Sequence, residues 1–197
     1  MKNVMPLIYF VCILGSFQAL NAQKSEKNSP IYDYSEHHLN NTDTIPDFAS
    51  KPEKLKITGI IYESDGKTPA KDVILYVCQP NEYGNYEMKR DKNHKRYVHH
   101  RGWVKTDADG RYTIYTFIPG KNRYVKELKQ IQRIIKVPGK PEKELNAFFF
   151  KNDPLLSDLT LSCRTNALSS IVELKKQGNM YVATRDIKLE KNLSDIQ

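Results

Sequence analysis

From residue 54 to 192 the chain is a series of short alternating runs separated by turn clusters, and no stretch has a long, capped helical period. Leu55, Ile57, Gly59 and Ile61 alternate with Lys56, Thr58, Ile60 and Tyr62. A period of two sends one set to each face of a strand. Ser64-Asp65-Gly66-Lys67-Thr68-Pro69 ends that run in a turn. Val73, Leu75 and Val77 line one face of a second strand over 73–77, and a long polar loop is predicted from 80 to about 100. Strands over 103–105 and 112–116 are joined by Thr106-Asp107-Ala108-Asp109-Gly110, where Gly110 is free to take positive φ. Runs at 130–137 and 145–150 are split by Pro138-Gly139-Lys140-Pro141, and an alternating run at 181–189 closes the series. Strands this short bury a core by stacking two sheets, so the predicted fold is an all-β antiparallel sandwich. The aromatic usage agrees: 12 Tyr against 1 Trp and 7 Phe suits half-buried strands.

A chain of 197 residues is enough for one domain with a proper core and too short for two comfortable ones. The mean hydropathy of −0.63 excludes a polytopic membrane protein. Lys2 followed by an apolar run over 4–20, with Ala22 before Gln23, has the layout of a secretory signal peptide. The apolar core over 5–17 is shorter than the ~18 residues a spanning helix needs. The expected organisation is a leader over 1–22, a polar arm or linker over 23–53 outside the sandwich, the domain over 54–192 and a tail over 193–197. The expected location is secreted or periplasmic, with no transmembrane segment in the mature chain. Cys12 leaves with the leader; Cys78 and Cys163 remain, and their pairing depends on a distance the sequence does not give.

The net charge is +8, and its basic residues are scattered more than blocked, which reads as a solvated surface with no nucleic-acid partner. The one basic run, Lys89-Arg90-Asp91-Lys92-Asn93-His94-Lys95-Arg96-Tyr97, admits an anion- or glycan-binding role. His94, His99 and His100, with Tyr86 and Tyr97 nearby, supply imidazoles and phenols of the kind that bind an oxidised transition metal, against a plain reading as loop side chains. His37-His38 has no further Cys or His close by at ligand spacing. Asp107-Ala108-Asp109-Gly110 resembles part of a calcium loop. With Gly110 as the sixth position, however, Lys105 and Thr116 fill places that require Asp and Glu, so a turn is expected. No nucleophile motif and no Gly-rich phosphate loop is present.

The order of several modest motifs resembles the intradiol ring-cleavage dioxygenases. They are the Gly59 strand, the Asp65-Gly66-Lys67-Thr68-Pro69 turn, Val77-Cys78-Gln79, and Arg101-Gly102-Trp103-Val104-Lys105-Thr106-Asp107-Ala108-Asp109-Gly110-Arg111-Tyr112 running on to Pro119-Gly120. Ile134-Ile135-Lys136-Val137-Pro138-Gly139, Phe148-Phe149-Phe150, Asp153-Pro154-Leu155-Leu156 and Arg185-Asp186-Ile187 continue it, so it covers about 54–192. The resemblance implies a two-sheet sandwich of the prealbumin-like type. It also implies a non-haem ferric iron held by two tyrosinates and two histidines, and insertion of dioxygen between the hydroxylated carbons of a bound catechol.

Carried over residue by residue, Gly84-Asn85-Tyr86 retains the first Tyr position at Tyr86. The second Tyr position falls on Asn122, or on Tyr124 if the loop is longer, and the His-x-His falls on Gln130-Ile131-Gln132. Neutral amide oxygens are weak donors for ferric iron, so no cofactor is expected at these positions. Gln130 and Gln132 are then expected as a hydrogen-bonded, inward-facing polar pair. Three functions remain open. One is an exported, non-catalytic relative with an unidentified ligand or protein partner. Another is an active ferric dioxygenase on catechols, rebuilt with Tyr124 and His99 or His100. The last is an anion- or glycan-binding module using residues 89–101.

Overall fold

The computed structural model describes residues 29–34, 38–122, 124–156 and 170–191. The expected leader and tail, His37 and Cys163 lie outside the described residues. In chain order the strands are β1 (Thr42–Thr44), β2 (Lys54–Tyr62), β3 (Ile74–Cys78), β4 (Met88–Arg90), β5 (Arg96–Val98), β6 (Arg101–Lys105) and β7 (Arg111–Phe117). They continue as β8 (Gln130–Lys136), β9 (Glu142–Phe150), β10 (Ile171–Val172), β11 (Lys175–Gln177), β12 (Met180–Thr184) and β13 (Ile187–Lys188). One sheet runs β1-β7-β2-β12-β11, with β13 also on β2; the other runs β10-β9-β8-β3-β6. The all-β sandwich is present, but its sheets are mixed: β1 on β7, β10 on β9, and β12 and β13 on β2 are parallel pairs. Among the described residues no helix is long and apolar enough to cross a membrane.

The alternation predicted for β2 is realised: Leu55, Ile57 and Ile61 are buried and meet Leu75, Val77, Val104, Ile114, Ile131, Ile135, Phe148 and Phe150 between the sheets. Burying a side chain of this size contributes about 1.5–3 kcal/mol. Arg133 shares this inner face. Its guanidinium donates to the Asn146 carbonyl and, at 3.0 Å, to Ser170 Oγ, and it lies 3.9 Å over the Phe148 ring. The run at 181–189 is broken into β12 and β13, because Asp186 Oδ1 replaces backbone as the acceptor for Ile60 N–H at 2.9 Å.

Two sequence expectations are corrected. The segment read as a polar arm outside the sandwich packs on it. β1 adds an edge strand to β7, Ile45 joins the core between the sheets, and Ile31 is wholly buried on the outer face of the second sheet with Tyr76, Cys78 and Trp103. Trp103 Nε1–H donates to the Pro30 carbonyl at 3.1 Å. Isolated anchors in a polar stretch leave no period to read. The loop over 80–100 likewise contains a hairpin, β4 paired with β5, whose residues are exposed or half-buried and so carry no alternating apolar set.

Candidate functional site

The loop after β3 is organised by Asn81. Its side-chain oxygen accepts from the backbone N–H of Tyr83 and Asn85 at 3.0 Å each, and its carbonyl accepts from Gly84 and Gly120. Gly84 has φ 81°, and a Cβ there would strike the backbone of Lys121 and Asn122; a Cβ on Gly120 would strike the Glu82 carbonyl. Glycine at these two places lets the loops at 81–87 and 119–122 interlock. That locks Tyr86 over β8.

Tyr86 is half-buried, and its hydroxyl is buried without a hydrogen bond of normal geometry. Burial, with the nearby Cys78 and Glu127, pushes the phenol up to about 12; the Gln132 amide pulls the other way. Tyr86 and Gln132 therefore lie close together. Gln132 does not face inward, however. It is exposed on the outer face of β8, where its Oε1 accepts from Cys78 Sγ at 3.7 Å. The inward neighbours are Ile131 and Arg133, set by the strand's own alternation. Gln130 and Gln132 line a cavity of about 630 Å³ on this outer face, with Tyr76, Cys78, Tyr97 and Arg101.

Asn122 is spent on the loop: its Nδ2 donates to Asn85 Oδ1 at 3.4 Å and its Oδ1 accepts from Tyr124 N–H at 2.9 Å. Tyr124 stands 95% exposed beside Lys121 and Lys126. Asp107 serves a turn, as expected, accepting from Asp109 and Arg111 N–H at 3.0 and 2.9 Å. In the basic run, Lys95 and Arg101 both pair with Asp33 at 2.6 and 3.3 Å, and Arg101 stacks 3.9 Å over Tyr97. His94 sits in the β4–β5 turn with φ 62°.

His99 and His100 turn instead to Asp47, a residue sequence reasoning passed over inside the presumed arm. Each Nε2 lies 3.1 Å from Asp47 Oδ2, and the ligand atoms of all three lie within 4.8 Å of one another. Asp47 adopts φ 67° before a 3-10 turn over Phe48–Ser50. His100 is wholly buried, edge-on to Phe117 at 5.0 Å, with its backbone carbonyl accepting from Gln79 N–H at 3.0 Å. Burial holds the His100 imidazole below its ordinary pKa, although Asp47 pulls it up. Burial would raise the Asp47 carboxyl, but its hydrogen bonds to His100 and His99 and their charges leave it below the carboxylate range. Nothing in the local sequence links residue 47 to 99 and 100; only the seating of β1 on β7 brings them together.

The two-sheet sandwich superposes on solved structures. The fold is that of the intradiol ring-cleavage dioxygenases. The dioxygenase domain of a dioxygenase carbohydrate-binding protein fusion from Streptomyces sp. SirexAA-E superposes with a TM-score of 0.61 at 21% identity, over 78% of this chain and 90% of that one. The 3-chlorocatechol 1,2-dioxygenase from Rhodococcus opacus 1CP gives 0.59 at 19%, over 76% of this chain and 64% of its own. The intradiol ring-cleavage dioxygenase from Tetranychus urticae gives 0.55 at 18%, over 79% and 89%. This chain thus spans nearly all of the Streptomyces domain but under two thirds of the Rhodococcus enzyme. No family model matches the chain, and no curated protein matches it significantly.

Proposed function

We propose that this protein is an exported relative of the intradiol dioxygenases that has kept the fold and does not cleave catechols, and that its outer-face cavity binds a small ligand or partner segment. The observation that carries this reading is the donor set around Tyr86. The side chain beside the Tyr86 phenol is the neutral amide of Gln132 and not an imidazole. Asn122 is committed to Asn85 and Tyr124. Ferric iron needs anionic oxygen and imidazole donors, and these residues do not fit it. The rebuilt alternative is disfavoured because Tyr124 points to solvent while His99 and His100 face Asp47.

The cavity supports a binding role on its own terms. Tyr76, Tyr97 and Arg101 offer ring faces and a cation, Gln130 and Gln132 offer amides, and Lys95, Arg96 and Glu144 add charge, so the wall suits a polar ligand with an aromatic or apolar part. A role in anion or glycan binding draws on the same wall and is weakened by Asp33, which pairs with both Lys95 and Arg101 and offsets one of their two charges. The test is the visible spectrum and iron content of protein purified after growth with iron, together with oxygen uptake on catechol. Colourless protein with no uptake is expected. Stoichiometric ferric iron that is lost in Tyr86→Phe would overturn the reading.

A further inference from the structure

We propose that Asp47, His99 and His100 form a binding site for one divalent first-row metal ion of the zinc class, held by His99 Nε2, His100 Nε2 and Asp47 Oδ2. The inference is independent of whether Tyr86 and its neighbours bind iron.

Three features point to a cation at this place. The first is spacing. Donors at zinc distances around a tetrahedron lie about 3.3 Å apart, and both Nε2 atoms stand 3.1 Å from the same Asp47 Oδ2.

The second is the charge already drawn to this place. The Lys89 ammonium lies 2.9 Å from His99 Nε2, at a half-exposed position where it is also 3.5 Å from Glu87, so a cation already stands beside His99 in this structure.

The third is His100. Its ring is wholly buried and its Nε2 is aimed at Asp47 Oδ2, so the atom that would take the metal is directed into the three-donor group.

The supporting geometry is rigid. His100 is pinned by Gln79 through its carbonyl and by Phe117 against its ring. His99 N–H donates to the Glu87 carbonyl at 2.8 Å. Asp47 is held in a left-handed backbone conformation that non-glycine residues seldom adopt. The carboxylate side is 43% exposed, so an ion enters there and keeps water in its fourth position. Bound metal would tie the segment carrying β1 to the start of β6, which makes it a clamp across the fold.

The test uses the full chain without a polyhistidine tag, stripped by a chelator and titrated with Zn²⁺ in a calorimeter and with Co²⁺ in a spectrophotometer. One equivalent of each is expected to bind, with d–d absorption of a nitrogen- and oxygen-ligated Co²⁺ and a rise in Tm on adding Zn²⁺. His99→Gln and Asp47→Ala, both on partly exposed side chains, should each weaken binding at least about tenfold. Lys89→Ala should tighten it, because the competing ammonium is gone, and Tyr86→Phe should leave it unchanged. The proposal is overturned if the wild-type chain shows no saturable binding, or if saturable binding survives both His99→Gln and Asp47→Ala.

Discussion

Two sets of donor-bearing side chains hang from one pair of strand ends, where β3 stops at Cys78 and β6 begins at Arg101, and they differ in quality. On one side Tyr86 leans over Gln132 with a protonated phenol and neutral amides around it. On the other, His99 and His100 converge on the carboxylate of Asp47. The first set offers one phenol and neutral amides. The second offers two imidazoles and a carboxylate. One fold can keep the scaffold of a site while the chemistry of its side chains changes, because strands and interlocking loops are fixed by packing and glycine, whereas donors are single side chains at their rim.

The sharpest way to break this contrast is to restore donors to the first set. Asn122→Tyr, Gln130→His and Gln132→His together should convert a colourless protein into one that binds ferric iron and absorbs in the visible, read by metal analysis and spectrum. Protein that stays colourless and iron-free would show that the backbone around Tyr86 has drifted as well as its partners.

A smaller effect is expected from the apolar cluster on the outer face of the second sheet. Ile31→Ala removes a wholly buried side chain from the outer-face cluster with Tyr76 and Trp103. Denaturant unfolding should lose about 2–5 kcal/mol. A loss no larger than that of an exposed substitution would return residues 29–34 to the status of a loose arm.

Smaller again is the link between the two sets. Gln79 is buried, donates through Nε2 to the Phe117 carbonyl at 3.0 Å and accepts from Thr116 Oγ1–H at 2.6 Å. Gln79→Leu leaves those groups unsatisfied and should destabilise by about 1–3 kcal/mol. It should also loosen His100, visible as faster exchange of the nearby amide hydrogens.

The smallest effect is in the titration of Tyr86. Its folded pKa of about 12 lies above the ordinary 10.0, so the neutral phenol is the form folding favours. The stability tied to it is present in full below pH 10 and is lost as pH rises through about 12. Tyrosinate absorbance should therefore include a late-ionising component that disappears in Tyr86→Phe. An unchanged alkaline titration curve would count against burial of that hydroxyl.

Much of the fold was legible in the chain itself. The alternation through Leu55, Ile57 and Ile61 and the run Ile131-Gln132-Arg133-Ile134-Ile135 fix which side chains face the core, since a period of two permits one buried face. The turns at Asp65-Gly66 and Asp107-Gly110 follow from side-chain acceptors and positive φ, which are local properties. The nearness of Tyr86 to Gln132 on β8 had no local signal in the sequence. Two things were left to the tertiary structure: the burial of Ile31 and Ile45, and the meeting of Asp47 with His99 and His100. Each joins residues far apart in sequence through one or two side chains, and a lone anchor carries no period. Which lone anchors meet is decided when two sheets close over a core and an edge strand finds its register on β7.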